Sequence, residues 1–61
     1  MNVSKYELQN ALFLGGELRD FNNNKLCDIV QSVEREDGSN RSYNVTGTRN
    51  GVTVRIYVRT V

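Results

Sequence analysis

The chain has 61 residues, with eight basic and seven acidic side chains, one Cys and no His, Pro or Trp. This length provides for one domain and leaves no room for a second, and a single thiol without His excludes both an intramolecular disulfide and a zinc site. The charge is divided along the chain: residues 1–37 carry a net charge of −3, whereas residues 38–61 contain four arginines and no acidic residue, a net charge of +4.

The short length predicts marginal stability. A chain of this size buries only about 60% of the surface exposed by its unfolded state, so we expect it to depend on an idealised core or on a partner subunit. The lone Cys27 fits a reducing compartment. No signal-peptide pattern is present, and the longest apolar run, residues 11–14, is far shorter than the ~20 residues of a membrane span. We therefore expect a cytoplasmic protein that does not bind membranes.

The first predicted element is a helix over residues 4–14. Ser4 is a good N-cap, and Glu7 three positions later completes a capping-box pattern. Gly15–Gly16 follows the last apolar residue and ends the helix. The apolar side chains at helical spacing are Leu8, Ala11 and Leu12, flanked by Tyr6 and Phe13. The two flanking aromatic residues either close the rim of the core or belong to an interaction surface.

Residues 15–25 are predicted to be a polar linker, in which Leu18 and Phe21 lie under the fold and residues 22–24 make a turn. Residues 26–36 fit two patterns. Their apolar residues form a helical stripe, but alternate positions from Cys27 to Arg35 also fit one face of a strand. The turn residues at 37–40 and a following strand of matching length favour the strand.

The last two predicted strands, residues 41–49 and 52–60, form a hairpin. Asn50–Gly51 is the preferred pair for a two-residue type I′ turn, and strict apolar alternation follows it. The turn places Arg49 opposite Val52, so that Val45 lies opposite Ile56. For the preceding hairpin, only an odd loop of three to five residues brings Val33 opposite Val45.

The fold prediction is therefore α+β, with one N-terminal helix packed on a three-stranded antiparallel meander in the order 1-2-3. In such a sheet the third strand is a long edge, and an unprotected edge invites pairing with another chain. This edge could pair with a second copy of the chain in a homodimer or with a strand of another protein.

The side chains for catalysis are nearly absent. Without His, acid–base chemistry at neutral pH would require a perturbed carboxylate, Tyr or Lys. Asp20 and Asp28 are a loose acidic pair that is more typical of solvated surface, and Cys27 is more typical of an inert core thiol. We therefore expect no enzyme activity, no cofactor, no metal and no small-molecule substrate.

The candidate binding residues lie on the solvent face of the last hairpin and at its ends. An exposed tyrosine beside arginines can stack on a base while the arginines contact phosphates, or it can bind a protein. A third interpretation is a solvated face, in which Glu34 and Glu36 on the first strand offset the arginines through a cross-strand network. The predicted partner-binding residues are Arg55, Tyr57, Arg59, Asn44 and Thr46 on the face, with Arg41 and Arg49 at the ends.

Two functional hypotheses follow. The first is a small non-catalytic protein-interaction module, an adaptor or inhibitor, that acts through the sheet face or the edge strand. Size and composition alone suggest a phage or bacterial regulatory protein. The alternative is a nucleic-acid-binding protein that uses the Arg/Tyr face.

Overall fold

The computed structural model describes all 61 residues as one helix and six strands. The α+β class with a single helix is confirmed, but the single three-stranded meander is wrong. The sheet has four strands in the order β1-β6-β5-β4, and β2 pairs with β3 in a separate two-stranded sheet. The elements are β1 (Asn2–Val3), α1 (Lys5–Leu14), β2 (Leu18–Arg19), β3 (Lys25–Cys27), β4 (Ile29–Arg35), β5 (Ser42–Arg49) and β6 (Val52–Thr60).

The β5–β6 hairpin has the predicted register at all its pairs, from Arg49 opposite Val52 to Ser42 opposite Arg59. Asn50 and Gly51 have φ angles of 53° and 78°. A type I′ turn requires a positive φ at both central residues, and Asn and Gly adopt it at the lowest steric cost. The turn therefore specifies the pairing of the two longest strands.

Pairing with β5 makes Ile29–Arg35 a strand, and no part of residues 26–36 is helical; Val33 lies opposite Val45 as predicted. The backbone N–H of Glu36 donates to the Ser42 carbonyl at 2.9 Å, which leaves residues 37–41 as the predicted odd loop. Two details differ from the prediction. The strand is interrupted at Asp28, which divides the segment into β3 and β4. The register of β4 with β5 also shifts between Val30 and Ser32.

Strand β1 is an unpredicted addition to the sheet. It pairs in parallel with the end of β6, so that Asn2 lies opposite Arg59 and Val3 opposite Thr60. Val3 is fully buried. The third strand of the meander is therefore an edge over only part of its length, which corrects the sequence-based expectation.

The predicted linker also forms a small antiparallel sheet, in which Leu18 lies opposite Cys27. Its turn is held by Asp20, whose Oδ1 accepts the backbone N–H of Asn24 at 2.8 Å. Leu18 is buried as expected, but Phe21 is 59% exposed and does not lie under the fold. The turn is thus organised by the Asp20 carboxylate and not by burial of Phe21, which the sequence pattern suggested.

Helix α1 begins after Ser4, whose Oγ accepts the Glu7 backbone N–H at 3.5 Å, and ends before Gly15, whose N–H donates to the Ala11 carbonyl. Only Leu8 and Ala11 are buried, whereas Leu12 is 44% exposed. The flanking aromatic residues do not close the core, because they project from the opposite side of the helix. Their exposed fractions are 71% for Tyr6 and 89% for Phe13.

The core lies between the inner face of the four-stranded sheet and a layer made of α1, β2 and β3. At its tightest point, Gly47 of β5 passes so close to Ile29 that an added Cβ would collide with the Ile29 carbonyl oxygen and crowd Cys27 Sγ. The buried apolar residues are Val3, Leu8, Ala11, Leu18, Leu26, Cys27, Val30, Val45, Ile56 and Val58.

Asp28 fastens the β3–β4 corner to the tip of the hairpin. Its Oδ2 accepts the backbone N–H of Asn50 at 2.8 Å, its Oδ1 accepts Lys25 Nζ at 3.0 Å, and its own N–H donates to the Thr48 carbonyl at 2.7 Å. The bond from Asn50, followed by the one from Lys25, lowers the pKa of the Asp28 carboxyl below its ordinary value. This carboxylate therefore joins two segments that are distant in sequence.

We predict that Gly47→Ala destabilises the fold by about 1–3 kcal/mol, because the added methyl group meets backbone that cannot rotate away. Urea denaturation followed by far-UV circular dichroism measures the change. Gly16→Ala is the matched control, because nothing lies within 4 Å of a Cβ at Gly16 and its φ is not positive. Equal stability of the two variants would contradict the close approach at Gly47.

We predict that Asp28 contributes to the loss of stability in acid. Its pKa is lower in the folded protein than in the unfolded chain, so its stabilising effect is complete above about pH 4 and is lost as the pH falls through the folded value. Asp28→Asn should therefore show a smaller decline in the urea midpoint between about pH 7 and pH 2. The control is Asp37→Asn, which removes the same charge from an exposed loop. Identical pH profiles for both variants would exclude the proposed effect.

Candidate protein-interaction surface

The solvent side of the four-stranded sheet, here called the outer face, has no layer packed on it. The helix and the β2–β3 sheet contribute their buried side chains to the opposite side, together with the inward residues of β4, β5 and β6. Strand alternation therefore places one row of each strand on the solvent side. This row is exposed on β4 and β6, whereas on the central strand β5 it is half-buried and ends at the buried Ser42. The outer-face residues are Asn2, Ile29, Ser32, Glu34, Asn44, Thr46, Thr48, Thr53, Arg55, Tyr57 and Arg59.

Tyr57 is the largest side chain on β6's outer row, and it is 51% exposed. Arg55 and Arg59 flank it on the same strand, both exposed. Across the hairpin, Asn44 lies opposite Tyr57 and Thr46 opposite Arg55. Five of the seven predicted partner-binding residues therefore share one continuous patch.

Arg41 and Arg49 do not belong to this patch. Arg41 lies in the β4–β5 loop, and Arg49 ends β5 beside the Asn50–Gly51 turn, where it occupies the row that faces the core side. Both side chains are exposed. They lie at opposite ends of the hairpin, as the register predicted, and neither belongs to the outer row that carries Tyr57.

The expected cross-strand network of acids and arginines does not form. Glu34 lies opposite Asn44, which separates it from Tyr57 by a whole strand, and Glu36 lies beyond the end of β4. The ion pairs of the protein join Glu17 to Arg19 and Lys25, and Lys25 to Asp28. Arg55 and Arg59 make none, so the outer face presents two unpaired guanidinium groups.

The free edge of β6 adjoins this patch. The two-residue turn makes Arg49 and Val52 a hydrogen-bonded pair, so even-numbered residues of β6 bond to β5 and odd-numbered residues direct their backbone groups outward. At Arg59 the outward N–H is taken by the Met1 carbonyl at 2.8 Å. Strand β1 does not extend along the residues of β6 that precede Arg59. The open edge therefore consists of the backbone N–H and C=O groups of Thr53, Arg55 and Tyr57.

The thiol and the acidic pair that the sequence analysis considered for catalysis do not come together at one site. Cys27 is fully buried, and desolvation raises the pKa of its thiol. Asp20 and Asp28 do not form a common site, because each carboxylate is engaged in a different turn. No group of three or more His, Cys, Asp or Glu side chains converges on one point, and no helix has the length and hydropathy to cross a bilayer.

Comparison of the chain with models of protein families, with curated proteins and with solved structures finds no match.

We predict that Arg55→Gln and Arg59→Gln leave the free energy of unfolding unchanged within about 0.5 kcal/mol, because neither arginine has an ion pair to lose. Urea denaturation provides the measurement. Ile56→Val, between them on the buried row, is the positive control and should cost about 0.5–1.5 kcal/mol. A loss above the control value for either Gln variant would show that the arginines have a structural role instead.

Proposed function

We propose that this protein is a small non-catalytic protein-interaction module that binds a strand of a partner protein along the open edge of β6. The observation that carries the proposal is a coincidence of two features in the same residues. Thr53, Arg55 and Tyr57 have unpaired backbone groups at the edge, and their side chains lie on the uncovered outer face. An added strand would therefore gain main-chain hydrogen bonds and side-chain contacts together.

The partner strand is expected to carry an acidic side chain. A residue placed directly opposite Arg55 shares its face of the sheet, and cross-strand pairs of opposite charge are favourable. Glu34, the acidic residue on the outer face, lies on the far edge of the sheet and leaves this position uncompensated. Tyr57 adds a rigid aromatic contact of the kind enriched in protein interfaces.

A different protein is a better occupant than a second copy of the chain. A two-fold antiparallel pairing that uses all three open residues brings Arg55 opposite Arg55, and like charges at this position are destabilising. Strand β1 also limits the length of such a dimer contact, because β1 occupies the β6 edge from Arg59 onward. The homodimer remains an outcome that sedimentation equilibrium can detect.

The test begins with selection of ligands from a phage-displayed library of random linear peptides. We expect binders in which an acidic residue alternates with apolar ones, and ¹⁵N chemical-shift changes confined to residues 53–57. Thr53→Pro should abolish binding, because it removes an outward N–H without affecting the bonds to β5. Arg55→Glu should weaken it by about tenfold or more.

Val54→Pro is the matched control for the fold, because the N–H of Val54 points to β5 and its loss should lower the urea midpoint. Thr53→Pro should retain its circular dichroism spectrum. Selection of no binders, or enrichment only of peptides that wild type and Thr53→Pro bind equally, would exclude the β6 edge as a binding site.

A second candidate function is binding of single-stranded nucleic acid. The observation that favours it is the absence of ion pairs at Arg55 and Arg59, which lie on either side of an exposed aromatic ring. Such an arrangement can contact phosphates while a base stacks on Tyr57. The modest formal charge of +1 for the whole chain argues against it.

Fluorescence anisotropy with labelled single- and double-stranded oligonucleotides distinguishes the two functions. If nucleic acid is the ligand, affinity should fall steeply between about 50 mM and 200 mM salt, and Tyr57→Ala should reduce it by about tenfold or more for single strands. Absence of binding at the lower salt concentration would eliminate this candidate and leave the peptide function in place.

A further inference from the structure

A second surface lies on the other side of the sheet, where α1 leaves part of β4 uncovered. We infer that this groove binds an extended peptide segment of a partner protein, with an apolar side chain inside the groove and an acidic side chain next to it. The segment adds to the free edge of β4. The site uses none of the residues of the β6 edge, so it stands or falls independently of the proposed function.

The groove has a volume of about 290 Å³ and is formed by a helix stripe and a sheet floor. The helix contributes Lys5, Leu8, Gln9 and Leu12, which share one side because they are three or four residues apart. The floor is formed by Val33 and Tyr43. Both floor residues are only half-buried, and Leu12 is 44% exposed. The helix therefore stands over this corner of the sheet and covers its apolar side chains only in part.

The charges around the groove are all of one sign. Lys5 and Arg35 line it, no carboxylate does, and neither cation takes part in an ion pair. Both side chains are exposed, so they can reorient to contact a ligand. Charge complementarity therefore specifies an occupant that carries a carboxylate beside its apolar group.

The edge of β4 supplies the means of holding a peptide backbone. The bond from the Glu36 N–H to the Ser42 carbonyl fixes the alternation, so Glu34 and Glu36 bond to β5, while the backbone groups of Val33 and Arg35 face away from the sheet. Earlier on the same edge, the Val30 N–H already donates to the Gly16 carbonyl at 2.9 Å. The free part of the edge is therefore the part beside the groove.

The direction of the side chains on an added strand connects the free β4 edge with the groove. Residues directly opposite each other on neighbouring strands point to the same face of a sheet. A residue added opposite Val33 or Arg35 would thus direct its side chain to the inner face, which at this position is the groove under Leu12. A peptide in register on β4 would therefore direct alternate side chains to the face on which the groove lies.

A peptide fits these features better than a small molecule. The volume lies at the lower limit for small-molecule sites, and such a ligand would leave the Val33 and Arg35 backbone groups unused. An added strand satisfies the backbone groups, the apolar floor and the two cations together.

The experiment is a selection from a phage-displayed library of random linear peptides against the Thr53→Pro variant, in which strand addition to the β6 edge is impaired by loss of the outward N–H of residue 53. We expect enriched peptides with apolar and acidic residues at alternating positions. Their ¹⁵N chemical-shift changes should centre on Val33 and Arg35 and on Leu12 of the helix. Arg35→Glu and Lys5→Glu should each weaken binding by about tenfold.

Arg49→Glu is the matched control, since it makes the same charge reversal at an exposed arginine outside both the groove and the β6 edge and should leave the affinity of these peptides unchanged. N-methylation of the peptide at alternate amides separates strand addition from simple filling of the groove, because only the first requires those N–H groups. Circular dichroism of the charge-reversal variants tests whether they remain folded.

Four results would overturn the inference. They are a selection that enriches no peptide, shift changes that map to residues 53–57, affinity that survives N-methylation at both sets of amides, and self-association that Arg35→Glu abolishes. The last would assign the groove to a second copy of the chain. If octanoate displaces the peptide and N-methylation of the peptide does not lower its affinity, the groove is instead a site for small apolar acids.

Discussion

The turn at Asn50–Gly51 fixes the pairing of β5 with β6, and the position of nearly every other group in the sheet depends on this pairing. A two-residue loop makes Arg49 and Val52 a hydrogen-bonded pair. From there the alternation sends one row of β6 into the core and directs the backbone of the other row to the edge. A slip of one residue would exchange the two rows. The apolar core, the outer face and the open edge are therefore three results of one local geometry, and the groove beside β4 follows from the same alternation carried one strand further.

The parts of the fold that the sequence predicts are those specified by local signals. The N-cap at Ser4, the glycines after Leu14 and the Asn50–Gly51 pair each act through a few neighbouring residues, and the apolar alternation then selects the odd loop at 37–41. Strand β1 could not be found in this way. Two residues carry no period, and their partner lies at the far end of the chain. The β2–β3 pair was missed for a similar reason, because its turn depends on Asp20 and on no apolar repeat.

The candidate site shows the same division. Strand register determines which face a residue occupies, so the grouping of Asn44, Thr46 and Tyr57 follows from sequence. Register does not determine which charged side chains meet. Glu34 and Arg55 share a face but lie on different edges of the sheet, and long exposed side chains gain too little from pairing to fix one geometry. The groove was beyond sequence analysis, because it depends on how far α1 extends over β4, a matter of packing between layers.

The parallel pairing of β1 with β6 also bears on the order in which the domain forms. Asn2 meets Arg59 across nearly the whole chain, so closing this contact costs more chain entropy than forming either hairpin. Local hairpins generally form before such distant contacts. Strand β1 is then expected to dock last, onto a meander that already exists. Until it does, the edge of β6 is open along its full length, and Val3 is absent from the core. The protein's own first residues therefore occupy one end of this edge, and the final intramolecular step shortens the edge to the segment that stays open in the native state.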